Sequence, residues 1–123
     1  ATLCDIKIFA GDDTMIIPIS SIGGCGIISV ASNIKPELIV KLYYYCENKK
    51  YDEAMYLYKM VSKLIELLFI ETNPVPSKFM LHIMNLINCS KIRLPLVELT
   101  KENQNKIILY MNSVYKENNN LEI

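Results

Sequence analysis

The chain has 123 residues, of which 51 % are hydrophobic and 21 % charged, and its formal net charge is zero. That composition suits one domain with a real core and excludes a disordered chain. With no more than two basic residues in a row, it gives no electrostatic case for nucleic acid or an anionic membrane surface, and apolar runs such as Leu67 to Ile70 are far too short to span a bilayer. The start carries no signal-peptide pattern, and four cysteines without CxxC spacing or a partner histidine cluster argue against zinc and read as buried, reduced thiols. Together these features predict a cytoplasmic protein.

All four glycines fall in the first quarter of the sequence, and the rest of the chain is expected to pack around that stretch. Asp5 to Ala10 alternates Ile6, Ile8 and Ala10 with Lys7 and Phe9, a period of two that predicts a strand ending at Gly11. Asp12 or Asp13 is placed to cap a short helix over Thr14 to Ile22, in which Pro18 falls in the first or second turn. Gly23 and Gly24 suit a left-handed end to that helix. Gly26 to Ala31 is apolar nearly throughout, as in a parallel strand covered on both faces, and ends at Ser32 and Asn33. If the two strands are parallel, their carboxyl ends lie on the side where (β/α) barrels and open α/β sheets carry their sites.

Pro36 marks a first helical turn with Asn33 as a possible cap, and Leu38, Ile39, Leu42, Tyr45 and Cys46 give that helix one buried face through about Glu47. A turn at Asn48 to Lys50 precedes a helix of about Tyr51 to Glu71, with Ala54, Leu57, Tyr58, Val61, Leu64, Ile65 and Leu68 inward. Asn73-Pro-Val-Pro76 breaks it. A further helix is predicted from Ser77 to about Asn88, with Phe79, Met80, Ile83, Met84 and Ile87 inward. Arg93-Leu-Pro-Leu96 is an extended linker, and Thr100 caps a last helix striped by Ile107, Ile108, Met111 and Val114 or Tyr115.

Three motifs invite chemistry. Gly11-Asp-Asp13 looks like the metal-binding carboxylate pair of RNA-dependent polymerases, but those enzymes need further carboxylates and far longer chains, so capping and loop fixation is the preferred reading. Gly23-Gly-Cys-Gly26 runs from helix into strand, the reverse of a phosphate loop. His82, the single histidine, has no acidic or thiol partner at a catalytic spacing and reads as structural. Asn73-Pro-Val-Pro-Ser-Lys78, two rigid prolines ahead of a helix that opens with a lysine, is more specific than generic packing demands.

The order Gly11-Asp-Asp13, Gly26-Ile-Ile-Ser-Val30 with Asn33, Phe69-Ile-Glu71, Asn73-Pro-Val-Pro-Ser-Lys78 and Arg93-Leu-Pro-Leu96 resembles the carboxyl-terminal portion of the dihydrodipicolinate synthases. The resemblance extends over nearly the whole chain, and the related N-acetylneuraminate lyases match the two proline motifs less well. It implies an α/β fold: the last two βα units of a (β/α)8 TIM barrel over residues 1–47, then a three-helix carboxyl-terminal extension over residues 48–123. It implies an enzyme that condenses pyruvate, held as a lysine Schiff base, with aspartate semialdehyde in lysine and diaminopimelate biosynthesis, without cofactor or metal. The nucleophilic lysine is expected outside this sequence, leaving no catalytic residue here. Gly11 and Ile28 are implied to line the pyruvate pocket. The implied partners are copies of the same chain, a tetramer by resemblance, or an amino-terminal companion chain. The alternative from another class is a non-catalytic helical interaction module.

Overall fold

The computed structural model describes residues 6–119, with side chains to Val114. It divides into two compact units, with the boundary between Glu66 and Leu67.

In the first unit, strand β1 (Phe9–Ala10) pairs in parallel with β2 (Gly26–Ile27), in the register Phe9 to Gly26 and Ala10 to Ile27. The connection between them is a 3₁₀ turn (Asp13–Met15) that leads into helix α1 (Ile16–Ser21). Pro18 lies in the first turn of α1, where a missing amide hydrogen costs no intrahelical bond. The helix ends as the glycines predict: Gly24 N donates to Ile19 O at 2.8 Å and Gly23 N to Ser20 O at 3.2 Å, with Gly23 left-handed at φ 87°. Gly24 must be glycine for a second reason. A Cβ there would lie 2.4 Å from the Ile19 side chain and 2.9 Å from its carbonyl oxygen.

Both strands are shorter than the alternation predicts. Asp5 lies outside the described residues, and Ile6 to Ile8 carry no ladder, although Cys25 N donates to Ile8 O at 2.7 Å. Beyond Ile28 the chain leaves the ladder because the Asp13 carboxylate takes the amide hydrogens of Val30 and Ala31, which lead into a 3₁₀ turn (Ala31–Asn33). Ile28, expected to be covered, is 69 % exposed.

Helix α2 (Pro36–Glu47) opens on Pro36 as expected, but Asn33 does not cap it: the Asn33 amide donates to Val30 O at 3.0 Å, and Lys35 holds the cap position. Ile39, Leu42 and Cys46 are buried, with Ile16, Ile19, Ala31 and Ile34 completing the core of this layer. Lys49, left-handed at φ 57°, closes α2 with the same bond pattern as the glycines close α1. Helix α3 (Tyr51–Leu68) ends short of the predicted Glu71 and buries the predicted face except at Tyr58, which is half-buried: Ala54, Leu57, Val61, Leu64, Ile65 and Leu68 are each 6 % exposed or less. Its polar face carries the ion pair Lys63–Glu66.

In the second unit, α4 spans Val75–Ile83 rather than Ser77 to Asn88. It starts early because Pro76 fits the first helical turn. It stops early because Asn85 adopts a left-handed φ of 58°, which lets Leu86 N donate to Leu81 O at 3.0 Å. The buried stripe moves accordingly to Val75, Pro76, Ser77 and Met80. The Asn73–Pro74 and Leu94–Pro95 peptides are cis. The last helix, α5 (Lys101–Asn119), buries Ile107 and Met111, whereas Ile108 is exposed, and the Tyr115 side chain and Asn120 lie outside the described residues.

Thr100 begins α5 as predicted, and its position is fixed by Glu71. One carboxylate oxygen of Glu71 accepts from Thr100 Oγ1 at 2.7 Å, Asn103 Nδ2 at 2.8 Å and Thr100 N at 3.0 Å. These donors, Asn103 first and then Thr100, hold the carboxyl below the usual glutamate range. A lowered folded value means that the stabilisation is complete above the ordinary glutamate pKa of about 4.3 and is lost as the pH falls through the folded value. Glu71→Gln is therefore expected to be less stable than the parent chain near neutral pH, with the difference closing as unfolding is measured at successively lower pH. A constant difference would count against the carboxylate's role.

Candidate functional site at the carboxyl ends of the strands

Parallel pairing brings the two residues singled out by sequence together. Gly11 follows the last residue of β1 and Ile28 the last residue of β2, and Ile28 N donates to Ala10 O at 2.8 Å. Both sit at the carboxyl ends of their strands and both are exposed. Gly11 is not required by the backbone, since the left-handed glycines are Gly23 and Gly26, nor by packing, since a Cβ on it would meet nothing within 4 Å.

The two aspartates beside Gly11 divide the work that sequence alone could not divide. Asp12 caps the 3₁₀ turn, accepting from Thr14 Oγ1 and Thr14 N, each at 2.7 Å, and those bonds lower its pKa. Asp13 turns inward, is 1 % exposed, and accepts from Ser29 Oγ, from Val30 N at 3.0 Å and from Ala31 N at 3.2 Å. Ser29 Oγ in turn accepts from Ser32 N at 2.8 Å. The loop after β1 thus holds the loop after β2, and with it Ile28, through one buried carboxylate. Sequence reasoning missed this tie. The signal available was an aspartate pair in one loop and a serine at the end of the next strand, a pairing that needs the parallel register to be seen.

On α2, Tyr43 Oη donates to Cys25 O at 3.0 Å, which fixes the entry to β2, and burial pushes the Tyr43 hydroxyl pKa up. Of the tyrosines that follow it on α2, Tyr44 is exposed and Tyr45 half-buried. Of the described cysteines only Cys46 is buried, its thiol pKa raised by burial; Cys25 is half-buried and Cys89 exposed, so the expectation that all are buried fails. Each is a free thiol. His82 Nδ1 bonds Ile87 O at 3.2 Å, a structural use of the ring. Lys7 lies on the amino side of β1, away from the end that carries Gly11, and Lys78 lies in α4. Among the described residues no group of three His, Cys, Asp or Glu is placed to hold a metal ion, and no helix is long and apolar enough to cross a membrane.

Two adjacent parallel strands, a helical connection between them and paired loops at their carboxyl ends define a mixed α/β chain of the kind that builds TIM barrels. Residues 2–113 match the model of the dihydrodipicolinate synthetase family, and the chain belongs to that family. It is 35 % identical over 112 residues to the 4-hydroxy-tetrahydrodipicolinate synthase of Methanococcus vannielii, with 91 % of this chain and 38 % of that protein aligned. With the Helicobacter pylori enzyme of the same name it shares 41 % identity over 98 residues, 80 % of this chain and 33 % of the relative. The crystal structure of dihydrodipicolinate synthase from Aquifex aeolicus superposes with a TM-score of 0.85 at 30 % identity, covering 89 % of this chain and 37 % of that one. The chain therefore spans well under half the length of these relatives.

Proposed function

We propose that this chain is the carboxyl-terminal part of a 4-hydroxy-tetrahydrodipicolinate synthase, a cytoplasmic lyase that condenses pyruvate with aspartate semialdehyde in lysine and diaminopimelate biosynthesis. Its strands are the last two of the barrel and its last three helices the extension. The observation that carries this reading is the placement of Gly11 and Ile28 side by side at the carboxyl ends of two parallel strands. The glycine supports it further. A Cβ at position 11 would meet nothing within 4 Å, so this strand end is open to a molecule that approaches its backbone from outside. A bound keto acid against the Gly11 backbone meets that description, with Ile28 packing on its apolar side.

The nucleophile is a lysine amine supplied by residues outside this sequence. Its attack on the pyruvate carbonyl expels water and leaves an imine; loss of a proton from the neighbouring methyl carbon gives the enamine, whose carbon adds to the aldehyde while the aldehyde oxygen takes up a proton. Gly11 and Ile28 do no acid-base work; they shape the wall, and Asp13 keeps them in register. Ile6, Ile8 and Phe9, exposed here, are covered in the complete enzyme by the rest of the barrel, within a homo-oligomer or beside an amino-terminal companion chain.

Borohydride reduction in the presence of pyruvate, followed by intact-mass measurement, tests the assignment of the nucleophile. The isolated chain is expected to gain no reduced pyruvate adduct; an adduct on any of its own lysines would overturn it. Gly11→Ala tests the pocket wall. It is expected to leave the unfolding of the isolated chain unchanged or raise its stability by less than about 1 kcal/mol, as a flexible residue is lost from the unfolded state. In the complete enzyme the same change raises the KM for pyruvate. A normal KM would remove Gly11 from the pocket.

A further inference from the structure

The two proline motifs have no role in the pyruvate pocket, yet in the second unit they converge. Pro74 and Lys78 from the first, Arg93 and Leu96 from the second, and Lys91 and Ile92 just before it line one open cavity of about 610 Å³. Three of these six residues are cationic. The Lys78 ammonium is anchored by the Lys91 carbonyl oxygen, which leaves its other hydrogens available. None of the acidic side chains described in this unit lines this cavity. Glu71 holds Thr100 and Asn103, Glu102 pairs with Lys106 at 2.7 Å, and Glu98 lines a different cavity with His82 and Gln104. A chain of zero net charge thus gathers three cations around a concavity that, among the described residues, carries no counter-ion of its own.

The choice of cation adds an independent observation. Twelve of the thirteen basic residues in the sequence are lysine, and the single arginine is Arg93. Lysine and arginine serve equally as solvated surface charges, but only the guanidinium presents a planar fork that binds an oxyanion through two parallel hydrogen bonds. Pro74, Ile92 and Leu96 supply an apolar wall, which suits a ligand with a carbon skeleton between its charged groups.

We propose that this cavity is a binding site for a small di- or tricarboxylate, with Arg93 gripping one carboxylate in its fork and Lys78 and Lys91 facing another. The site lies outside the residues assigned to pyruvate and stands whether or not that assignment holds.

Calorimetric titration of the whole chain with citrate at low ionic strength, with inorganic phosphate and chloride as comparison anions, tests it. One citrate per chain is expected, bound more tightly than phosphate and far more tightly than chloride. Arg93→Gln is expected to weaken citrate about tenfold or more, the scale of losing a charge-assisted bidentate contact. Lys91→Gln is expected to weaken it less. Arg93 and Lys91 are exposed, so both variants should fold, as a superimposable unfolding curve would confirm. Lys59→Gln, an exposed lysine of α3, should leave the affinity unchanged. No citrate binding, tighter binding of phosphate, or an equal loss in Lys59→Gln and Arg93→Gln would each overturn the proposal.

Discussion

Asp13→Ala is expected to lower the stability of the first unit by about 3 kcal/mol or more, the largest effect of any single change there. The carboxylate is 1 % exposed and takes three hydrogen bonds, from Ser29 Oγ, Val30 N and Ala31 N. Removing it leaves two backbone donors and a hydroxyl without their acceptor, and each unsatisfied buried group costs about 1–3 kcal/mol. Asp13→Asn keeps the volume and one acceptor oxygen but turns the other oxygen into a donor that faces donors, so it is expected to recover only part of the loss. Denaturant unfolding of the two variants, with amide exchange read at Val30 and Ala31, checks the assignment. Stability within about 0.5 kcal/mol of the parent, the usual range for surface changes, would mean that the carboxylate does not hold the loop.

Ile28→Asp is expected to impair pyruvate use strongly in the complete enzyme while costing the isolated chain little. In the chain as described, Ile28 is 69 % exposed, so an aspartate there remains solvated. In a closed pocket the same carboxylate would be desolvated and would face an anionic keto acid, two penalties of the same sign. The expected signature is a rise in the KM for pyruvate of at least about tenfold, roughly 1.4 kcal/mol, with thermal unfolding of the isolated chain nearly unchanged. An unaltered KM would take Ile28 out of the pocket. Destabilisation of the isolated chain would show that Ile28 belongs to its core. The contrast with Asp13 is informative because the two residues lie on adjoining loops: one holds the arrangement together, the other is proposed to face the keto acid.

The helices were legible because each carries its own punctuation. The α3 face from Ala54 to Leu68 follows from spacing alone, and the ends at Gly23 and Lys49 fall where a residue free of helical constraint is needed. Errors arose where a local signal was outvoted by a partner distant in sequence. Asn33 has the chemistry of a cap, yet its amide bonds Val30 because the segment before it has been drawn into a 3₁₀ turn by Asp13. The β2 run is apolar through Ala31, yet its strand ends at Ile27 because the next amides have a carboxylate to bond. The end of α4 was available in principle: Asn85 tolerates the left-handed region, but so do asparagines that never adopt it.

By itself the sequence determined the order of the elements, most of the helical segments and the position of Gly11 at the end of an apolar run, whereas Ile28 reaches a strand end only because β2 stops at Ile27. These are properties of periodicity, proline and glycine, whose effects act within a few residues along the chain. Only the tertiary structure decided which of Asp12 and Asp13 is the cap and which the buried tie, and that Lys78, Lys91 and Arg93 share one cavity. Such choices depend on which donors, acceptors and charges meet across thirteen or more positions of chain, as Lys78 and Lys91 or Asp13 and Ser29 do. A carboxylate's identity specifies its capacity for hydrogen bonds, whereas the fold specifies which donors come within 3 Å of it.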